Sequence, residues 1–203
     1  LALFIAYCTV AALRYNRSQR MEMALLKNQI RPHFIHNSLT TIISISRSDA
    51  NRARDLLKEF SSYLRGYYDY DADELITLGQ ELELVHAYVA LEQARFGDRV
   101  KVEYDIESER LKVPPLSLQP LVENAFVHGL REKEGAGTVV IYAKRTAAGS
   151  AVIEVRDNGI GFGAKAPAER RGVGIENINH RLMRLCRTQL AFTRPEGGGC
   201  EVS

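Results

Sequence analysis

The chain has 203 residues, a length that suits one or two domains with a hydrophobic core. Its formal net charge is only +2, so the composition does not support general polyanion binding, and we expect no nucleic acid among its partners. The three cysteines, Cys8, Cys186 and Cys200, lie far apart and form no CxxC pair. This spacing argues against a zinc site and a disulfide framework, and it fits a reducing compartment.

The first 13 residues, LALFIAYCTVAAL, contain no charged side chain and are followed by the basic segment RYNRSQR. A bilayer-spanning helix needs about 20 apolar residues. Because the chain begins without Met, we interpret residues 1–13 as the end of a transmembrane helix. The basic flank then predicts that the following region is cytoplasmic. An amphipathic or buried helix is the alternative, and a signal peptide is disfavoured because the charges follow the apolar run.

Residues 17–48 have the periodicity of one long helix, which Pro32 can kink. Apolar side chains fill a wide arc of this helix: Ile30, Phe34, Ile35, Leu39, Ile42, Ile43 and Ile45. The remaining sector is polar and contains His33, His36 and Asn37. His33 is therefore predicted to lie on a polar stripe of a helix that is otherwise mostly buried.

A second helix is predicted over residues 49–70, where apolar residues recur at helical spacing. The two helices would form a hairpin, but their apolar arc is too wide for one partner helix to cover. Pairing two hairpins in a four-helix bundle would cover it, so we expect a homodimer built on residues 14–70. The acidic stretch DYDADE, residues 69–74, is predicted to be a linker.

The remaining residues, 75–203, are predicted to form a second domain. Its predicted strands are RVKVEYDI, GTVVIYAKRT and SAVIEVRDN, and its predicted helices are LITLGQELELVHAYVALEQARF, LSLQPLVENAFVHGL and GVGIENINHRLMRLC. The last segment, QLAFTRPEGGGCEVS, is predicted to be a hairpin in a domain truncated at its C-terminus. This order predicts an α+β fold with a mixed sheet and helices on one face.

The segment LVENAFVHG combines an apolar stripe with two polar side chains on the other side of a helix. The stripe consists of Leu121, Val122, Ala125 and Phe126. Asn124 and His128 are four residues apart and therefore neighbours. Such a pair can offer an oxygen to Mg²⁺ and a donor to phosphate. An ordinary polar pair on the surface is the alternative interpretation.

The segment VRDNGIGF ends a predicted strand with an aspartate and two glycines. Gly159 and Gly161 permit positive φ and the close approach of a flat ligand. Asp157, at the strand end, can accept a hydrogen bond from an exocyclic amine such as that of adenine. A hairpin turn with the sequence D-N-G is the alternative interpretation.

The segment RRGVGIENINHRL places Gly172 and Gly174 before an amphipathic helix, whose first amides can bind phosphate. It is not a Walker A loop, because no GK[ST] follows, and the GxGxxG pattern of a Rossmann loop fails at Asn177. The preceding stretch GAKAPAERR has the composition of a mobile lid. A plain helix start after a flexible loop is the alternative.

Each of these motifs is weak alone, but their order along the chain is specific. A histidine in QxxPHFxxN precedes an asparagine helix, an Asp-Gly-Gly strand end and a Gly-Gly helix start. In this order the chain resembles the cytoplasmic part of LytS-type sensor histidine kinases, from about Leu26 to Val202. That family joins a dimerising helical hairpin to an α/β sandwich ATP-binding domain of the Bergerat type. The resemblance implies ATP and Mg²⁺ as cofactors, an aspartate of a response regulator as phosphoryl acceptor, and the bacterial inner membrane as the location.

The resemblance also implies roles for single residues. His33 matches the phosphoacceptor histidine, Asn124 matches the asparagine that ligates Mg²⁺, and Asp157 matches the aspartate that reads the adenine amino group. The glycines that line the nucleotide and hinge the lid are matched by Gly159, Gly161, Gly172 and Gly174. His128 matches a position close to the phosphates.

The surroundings of the histidine depart from the most common pattern among histidine kinases. Many of these kinases carry an acid directly after the histidine, but here that residue is Phe34. Asn37, one turn further on, or His36 is left to orient the imidazole ring. No general base is identified, and the role of Glu123 beside Asn124 stays open.

Three further departures, Arg31, His36 and Cys200, motivate an alternative function. The chain would then be a non-catalytic scaffold, a pseudokinase that binds nucleotide, dimerises and signals by its shape. An ATPase-driven clamp of the same superfamily is a second alternative, although no segment resembles the transducer domain of such a clamp.

Overall fold

The computed structural model describes residues 32–68, 74–146, 150–161, 173–193 and 199–203. The predicted membrane segment 1–13, the predicted lid and Gly172 lie outside the described residues, as does most of the predicted linker. Within the described ranges, no helix has both the length and the apolar composition needed to cross a membrane.

The predicted helical hairpin is confirmed over the described residues. Helix α1 spans Pro32–Ser46 and helix α2 spans Ala50–Tyr68. Pro32 is the first described residue of α1, and residues 17–31 of the predicted long helix lie outside the described part of the chain. The turn ends at Asp49, whose carboxylate accepts a hydrogen bond from the backbone N–H of Arg52 at 2.8 Å, as a helix N-cap does.

A third helix, α3, connects the hairpin to the sheet and spans Leu78–Phe96. Its N-terminus is a capping box: Thr77 Oγ1 accepts from the backbone N–H of Gln80, and the Gln80 side chain accepts from the backbone N–H of Thr77. Strand β1, Ile76–Thr77, precedes it and pairs antiparallel with strand β3, Lys112–Val113. The sequence prediction extended the helix to Leu75 and missed this short pair, because two residues are too few to show a periodicity.

The larger sheet has five strands in the order β2-β4-β5-β7-β6 among the described residues. These strands are β2 Val100–Ile106, β4 Gly137–Arg145, β5 Ala151–Asp157, β6 Phe192–Thr193 and β7 Cys200–Val202. Strands β2 and β4 are parallel and the other pairs are antiparallel, so the predicted mixed sheet and α+β class are confirmed. Burial alternates along β4, as expected when one face of a sheet is covered.

The helix predicted over 116–130 is divided into two parts. Helix α4 spans Gln119–Asn124, and a π-helix continues it over Ala125–Leu130. The predicted apolar stripe of this segment is buried, as expected. The wider π turn is visible in the hydrogen bond that Arg131 N–H donates to Phe126 O at 3.0 Å. Single π turns often occur at functional sites.

Helix α5, Val173–Cys186, is the last of the described helices.

The start of α4 is held by a buried carboxylate of α3. Glu81 has no solvent exposure and accepts hydrogen bonds from the backbone N–H groups of Leu116, Leu118 and Gln119. Burial raises the pKa of Glu81, whereas these amides and the charge of Arg181 lower it. The three amides precede or begin α4 and have no helical partner of their own, so Glu81 satisfies donors that would otherwise be buried without an acceptor.

An aromatic cluster joins the hairpin to the rest of the molecule. It consists of Phe34, Tyr63, Tyr67, Tyr88 and Phe126, which come from α1, α2, α3 and the π-helix. The ring centroid of Phe34 lies 4.8 Å from that of Tyr63 and 4.9 Å from that of Tyr88. In the same interface, the Tyr63 hydroxyl donates to Glu123 Oε1 at 3.0 Å. The hairpin and the sheet-bearing region therefore share one core instead of being separated by a solvated gap.

The end of strand β5 lies against the π-helix through backbone contact. Ile160 N–H donates to Gly129 O at 3.0 Å, and a Cβ atom on Gly159 would lie only 2.1 Å from that carbonyl oxygen. Gly159 is therefore required by the approach of the protein's own backbone. The sequence prediction had attributed this glycine to positive φ and a flat ligand.

We predict that Glu81→Ala lowers the free energy of unfolding by at least about 3 kcal/mol, because three buried backbone N–H groups lose their acceptor. Glu81→Gln keeps one acceptor oxygen and should cost less than Glu81→Ala. Urea unfolding followed by circular dichroism measures both variants. Equal stability of wild type and Glu81→Ala would contradict this account of how α4 is held.

We also predict that Gly159→Ala destabilises the fold by about 1–3 kcal/mol, the usual cost of overpacking, because the new methyl group meets a backbone carbonyl that cannot rotate away. Gly174→Ala is the matched control, since a Cβ atom there has no neighbour within 4 Å and lies in a helix. Thermal unfolding should separate the two variants. A melting temperature for Gly159→Ala equal to that of the control would show that the contact is not tight.

Candidate functional site

The predicted pair of His33 and Asn37 is in contact on the exposed side of α1. Asn37 Nδ2 lies 3.0 Å from His33 Nδ1 and 3.4 Å from Nε2. Donor and acceptor roles in this contact depend on the tautomer of the ring: an Nδ1 lone pair would accept from the amide, whereas an Nδ1–H group would donate to Oδ1 after a half-turn of the amide. Asn37 is therefore placed to orient the imidazole ring of His33.

The His33 ring borders a pocket of about 210 Å³ between α1, α3 and the α4–π segment. Three rings of the aromatic cluster, Phe34, Tyr88 and Phe126, form its apolar wall. The polar and charged lining consists of His33, Asn37, Glu92, Arg95, Glu123 and Arg131. The exposed histidine thus borders a small space that is also lined by two carboxylates and two guanidinium groups.

Glu92, on α3, was not among the predicted site residues. Only 5% of its surface is exposed, and Arg95 Nη1 lies 3.4 Å from its Oε2 atom. Burial raises the pKa of Glu92 and the nearby Glu123 raises it further, whereas Arg95 and Arg131 act in the opposite direction. A signal existed in the sequence, because Glu92 falls four residues after Tyr88 on the apolar face of a helix, where a carboxylate is unusual.

Glu123, whose role the sequence left open, faces the interior and not the solvent. Its Oε1 atom accepts from the Tyr63 hydroxyl and from Gln119 Nε2, both at 3.0 Å. Burial and the charge of Glu123 hold the pKa of Tyr63 well above its usual range, so the tyrosine stays a donor. Glu123 therefore binds α4 to α2 across the aromatic cluster.

Asn124 and His128 lie on the neighbouring face of the same helical segment. Glu123 and Val127 line the pocket of His33. Asn124 directly follows Glu123, and His128 directly follows Val127. Successive helical residues are rotated by about 100°, so the two rows are adjacent. Asn124 is half-buried and His128 is exposed. The residues predicted to hold metal and phosphate are thus on the segment that forms the wall of the histidine pocket, although they do not line that pocket.

Asp157 is buried at the end of β5, as predicted. Its Oδ1 atom accepts from the backbone N–H of Gly159 at 2.9 Å. Burial raises the pKa of Asp157, while the amides of Gly159 and Cys200 and the charge of Lys133 oppose this change. A Cβ atom on Gly129 would lie 2.5 Å from Asp157 Oδ1, so the absence of a side chain there lets the carboxylate contact the π-helix.

The other predicted glycines are in different environments. Gly161 has a φ of 67°, which agrees with the prediction that this turn needs positive φ. Gly174 is exposed in the first turn of α5, and Gly172 lies outside the described residues. The structure therefore brings His33 and Asn37 together at one pocket, places Asn124 and His128 on the adjoining face of the α4–π segment, and brings Asp157 against Gly129 of that segment.

Comparison with known proteins gives a consistent result. A family model described as histidine kinase matches residues 21–100. The chain is 38% identical over 196 residues to the putative uncharacterized protein YwpD of Bacillus subtilis, covering 93% of this chain and 70% of that protein. It is 38% identical to the sensor histidine kinase YpdA of Escherichia coli and 36% identical to the sensor protein LytS of Staphylococcus haemolyticus. These matches cover 89% and 84% of this chain.

The chain spans about a third of the length of the two sensor proteins, 33% of YpdA and 31% of LytS. Among solved structures, the histidine kinase domain of a blue-light activated kinase from Erythrobacter litoralis is 17% identical, with a TM-score of 0.49 and coverage of 88% and 89% of the two chains. One of the sequence relatives, YwpD, is covered by the chain over 70% of its length. The chain therefore belongs to the family of LytS-type histidine kinases.

Proposed function

We propose that this chain is the kinase region of a two-component sensor, which phosphorylates His33 from ATP and passes the phosphoryl group to an aspartate of a response regulator. One observation carries the proposal: the His33 ring, held by Asn37, borders a pocket whose wall is the helix that bears Asn124. The proposed phosphoacceptor on α1 and the proposed nucleotide-binding face of the α4–π segment therefore lie next to each other.

The chemistry requires a neutral imidazole nitrogen and a phosphoryl group in line with it. An ordinary imidazole is mostly neutral near pH 7 and is a usable nucleophile without strong activation. A nitrogen–phosphorus bond forms at His33 while the bond from the γ-phosphorus to the bridging oxygen breaks, and ADP leaves with that electron pair. Asn37 has the role of orienting the ring through its contact with Nδ1.

The residues on the adjacent surface fit a nucleotide and a magnesium ion. Asn124 offers an amide oxygen, which is a hard ligand of the kind that Mg²⁺ prefers. When bound, the ion would supply positive charge that offsets the charge of the phosphates. Asp157 keeps an acceptor carboxylate at a strand end for the adenine amino group, and Gly159, Gly161, Gly172 and Gly174 are assigned to the lining of the nucleotide site. His128 lies one turn after Asn124 and is assigned to the phosphates.

We further propose that residues 14–70 form the dimerisation and phosphotransfer hairpin and that residues 75–203 form the ATP-binding domain. The hairpin has apolar side chains that the single chain leaves exposed: Ile43 by 59%, Leu57 by 48% and Leu39 by 39%. A second copy of the chain, pairing into a four-helix bundle, would cover them. Residues 1–13 would anchor the protein in the bacterial inner membrane, with the kinase region in the cytoplasm.

We predict that purified chain incubated with γ-³²P-labelled ATP becomes labelled, and that the label is stable to base and labile to acid, as expected for a phosphorus–nitrogen bond. His33→Ala should reduce the labelling to background. His36→Ala is the matched control, since His36 is an exposed histidine of the same helix outside the pocket, and it should keep most of the labelling.

Two outcomes would contradict the kinase proposal. Equal labelling of His33→Ala and wild type would move the phosphoacceptor to another residue. Absence of label in a folded protein that still binds ATP would favour the non-catalytic scaffold. That alternative was suggested by Arg31, His36 and Cys200, which depart from the family pattern.

We also predict that Asp157→Ala weakens ATP binding by about 10–100-fold, the effect of losing one charged hydrogen-bond acceptor. Asp157→Asn retains an acceptor oxygen and should weaken binding less. Asp98→Ala, at an exposed aspartate of the same region, is the control and should bind ATP as wild type does. Calorimetric titration measures the three affinities. Unchanged affinity in a folded Asp157→Ala protein would exclude Asp157 from the nucleotide site.

A further inference from the structure

The structure contains a buried carboxylate that faces the same pocket as His33 and has no role in the mechanism described so far. Glu92 belongs to α3, whereas His33 belongs to α1, and both line the pocket. Within the described ranges, Arg95 is the one side chain that pairs with Glu92, and it does so through Oε2. The Oε1 atom is therefore left for a further donor.

We propose that Glu92 is the positioning residue of the phosphorylation reaction, which acts on His33 by accepting a hydrogen bond from the ring nitrogen that does not attack. The proposal rests on the proposed function, since it assigns a partner to the histidine that function uses. The residue after the histidine, Phe34, packs into the aromatic cluster and provides no carboxylate. Glu92 would supply this carboxylate from a separate helix.

The other carboxylate of the pocket is less suited to this role. Glu123 Oε1 already accepts two hydrogen bonds, from Tyr63 and from Gln119. Turning Glu123 towards His33 would break the contact that joins α4 to α2. Glu92 makes one pair at 3.4 Å, a long and weak contact, so reorienting it costs less.

The role follows from the charge that develops on the imidazole. When one ring nitrogen bonds to phosphorus and ADP leaves, the ring gains positive charge and its remaining N–H becomes more acidic. A carboxylate that accepts a hydrogen bond from this N–H stabilises the charge, and the hydrogen stays on the ring throughout. The same hydrogen bond fixes the tautomer, so that the attacking nitrogen has its lone pair before ATP arrives.

The surroundings of Glu92 are suited to this role. Arg95 on its own helix and Arg131 after the π-helix favour the charged carboxylate, whereas Glu123 and burial oppose it. The net effect raises the pKa of Glu92, which makes the carboxylate a stronger hydrogen-bond acceptor than an exposed one. Because α3 carries Glu92 and α1 carries His33, the histidine is prepared for reaction only while the hairpin lies against α3.

The first test compares autophosphorylation of the full 203-residue chain and its variants in single turnovers at saturating γ-³²P-labelled ATP. Glu92→Gln, which keeps the shape and removes the charge, should slow the reaction about 100-fold, the lower end of the effect of removing one group that stabilises charge in the transition state. The concentration of ATP that gives half the maximal rate should change less than about threefold, since Glu92 lies outside the nucleotide surface. Glu92→Asp should recover part of the rate.

Glu83→Gln is the matched control, because Glu83 is an exposed glutamate of the same helix outside the pocket, and its rate should equal that of wild type. A second measurement needs no ATP: carbethoxylation of His33 by diethyl pyrocarbonate, followed by mass spectrometry, with His36 of the same molecule as internal reference. Glu92→Gln should slow modification of His33 relative to His36, and Glu83→Gln should not.

The two measurements separate the possible failures. If wild type is not labelled at His33 by ATP, the proposed function fails, and the carbethoxylation ratio still reports whether Glu92 acts on the ring. If wild type is labelled, a Glu92→Gln rate equal to that of wild type overturns the inference. A slow Glu92→Gln variant with an unchanged His33 ratio and a lowered melting temperature also overturns it, since Glu92 would then act only on the fold.

Discussion

The arrangement of this molecule depends on the burial of Glu81 beneath the turn that precedes α4. One carboxylate gathers three backbone amides at a point where the chain leaves β3 and enters a helix with no side-chain cap of its own. Leu116, within this turn, has a φ of 53°, a conformation that a branched side chain adopts only when its surroundings hold it there. Arg181 of α5 donates to Leu116 O at 2.9 Å, so the helix after the glycine-rich segment is fixed to the same turn. The direction of α4, and therefore of every side chain it presents, is set by this one network.

From that fixed start, the α4–π segment has to serve three neighbours at once. Its inner side packs in the core, Glu123 holds the hairpin through Tyr63, and Gly129 receives the end of β5. A helix with so many partners on different sides has little freedom to rotate, because turning it to improve one contact would break another. Asn124 and His128 lie on a further face of the segment. The position of the proposed phosphate and metal ligands is thus a consequence of how the remaining faces are occupied.

The sequence was sufficient for the parts of this arrangement that depend on local pattern. Periodicity located both helices of the hairpin and the three long strands, and the motif order identified the family. It did not reveal the short strand pair β1–β3, because strands of two residues show no periodicity. It also did not reveal the π turn, since the residue types of a π turn are the same as those of an α-helix. It attributed Gly159 to positive φ, whereas the structure shows that the close approach of the Gly129 backbone requires this glycine. Contacts between distant segments are set by packing, which a pattern along one segment does not contain.

The buried carboxylates show the same limit and give it a physical meaning. Glu81, Glu92 and Glu123 each lie in a helical segment, and sequence pattern alone treats a glutamate there as an ordinary solvated residue. Removing a carboxylate from water is costly unless donors or opposite charges compensate for it. Glu81 and Glu123 are compensated by donors that hold the fold together, namely backbone amides in one case and the side chains of Tyr63 and Gln119 in the other. Glu92 has one long ion pair with Arg95 and the charge of Arg131 as compensation, and it lines the histidine pocket. A charge that is buried without a sufficient structural reason is expected where chemistry requires it, and in this chain that place is next to His33.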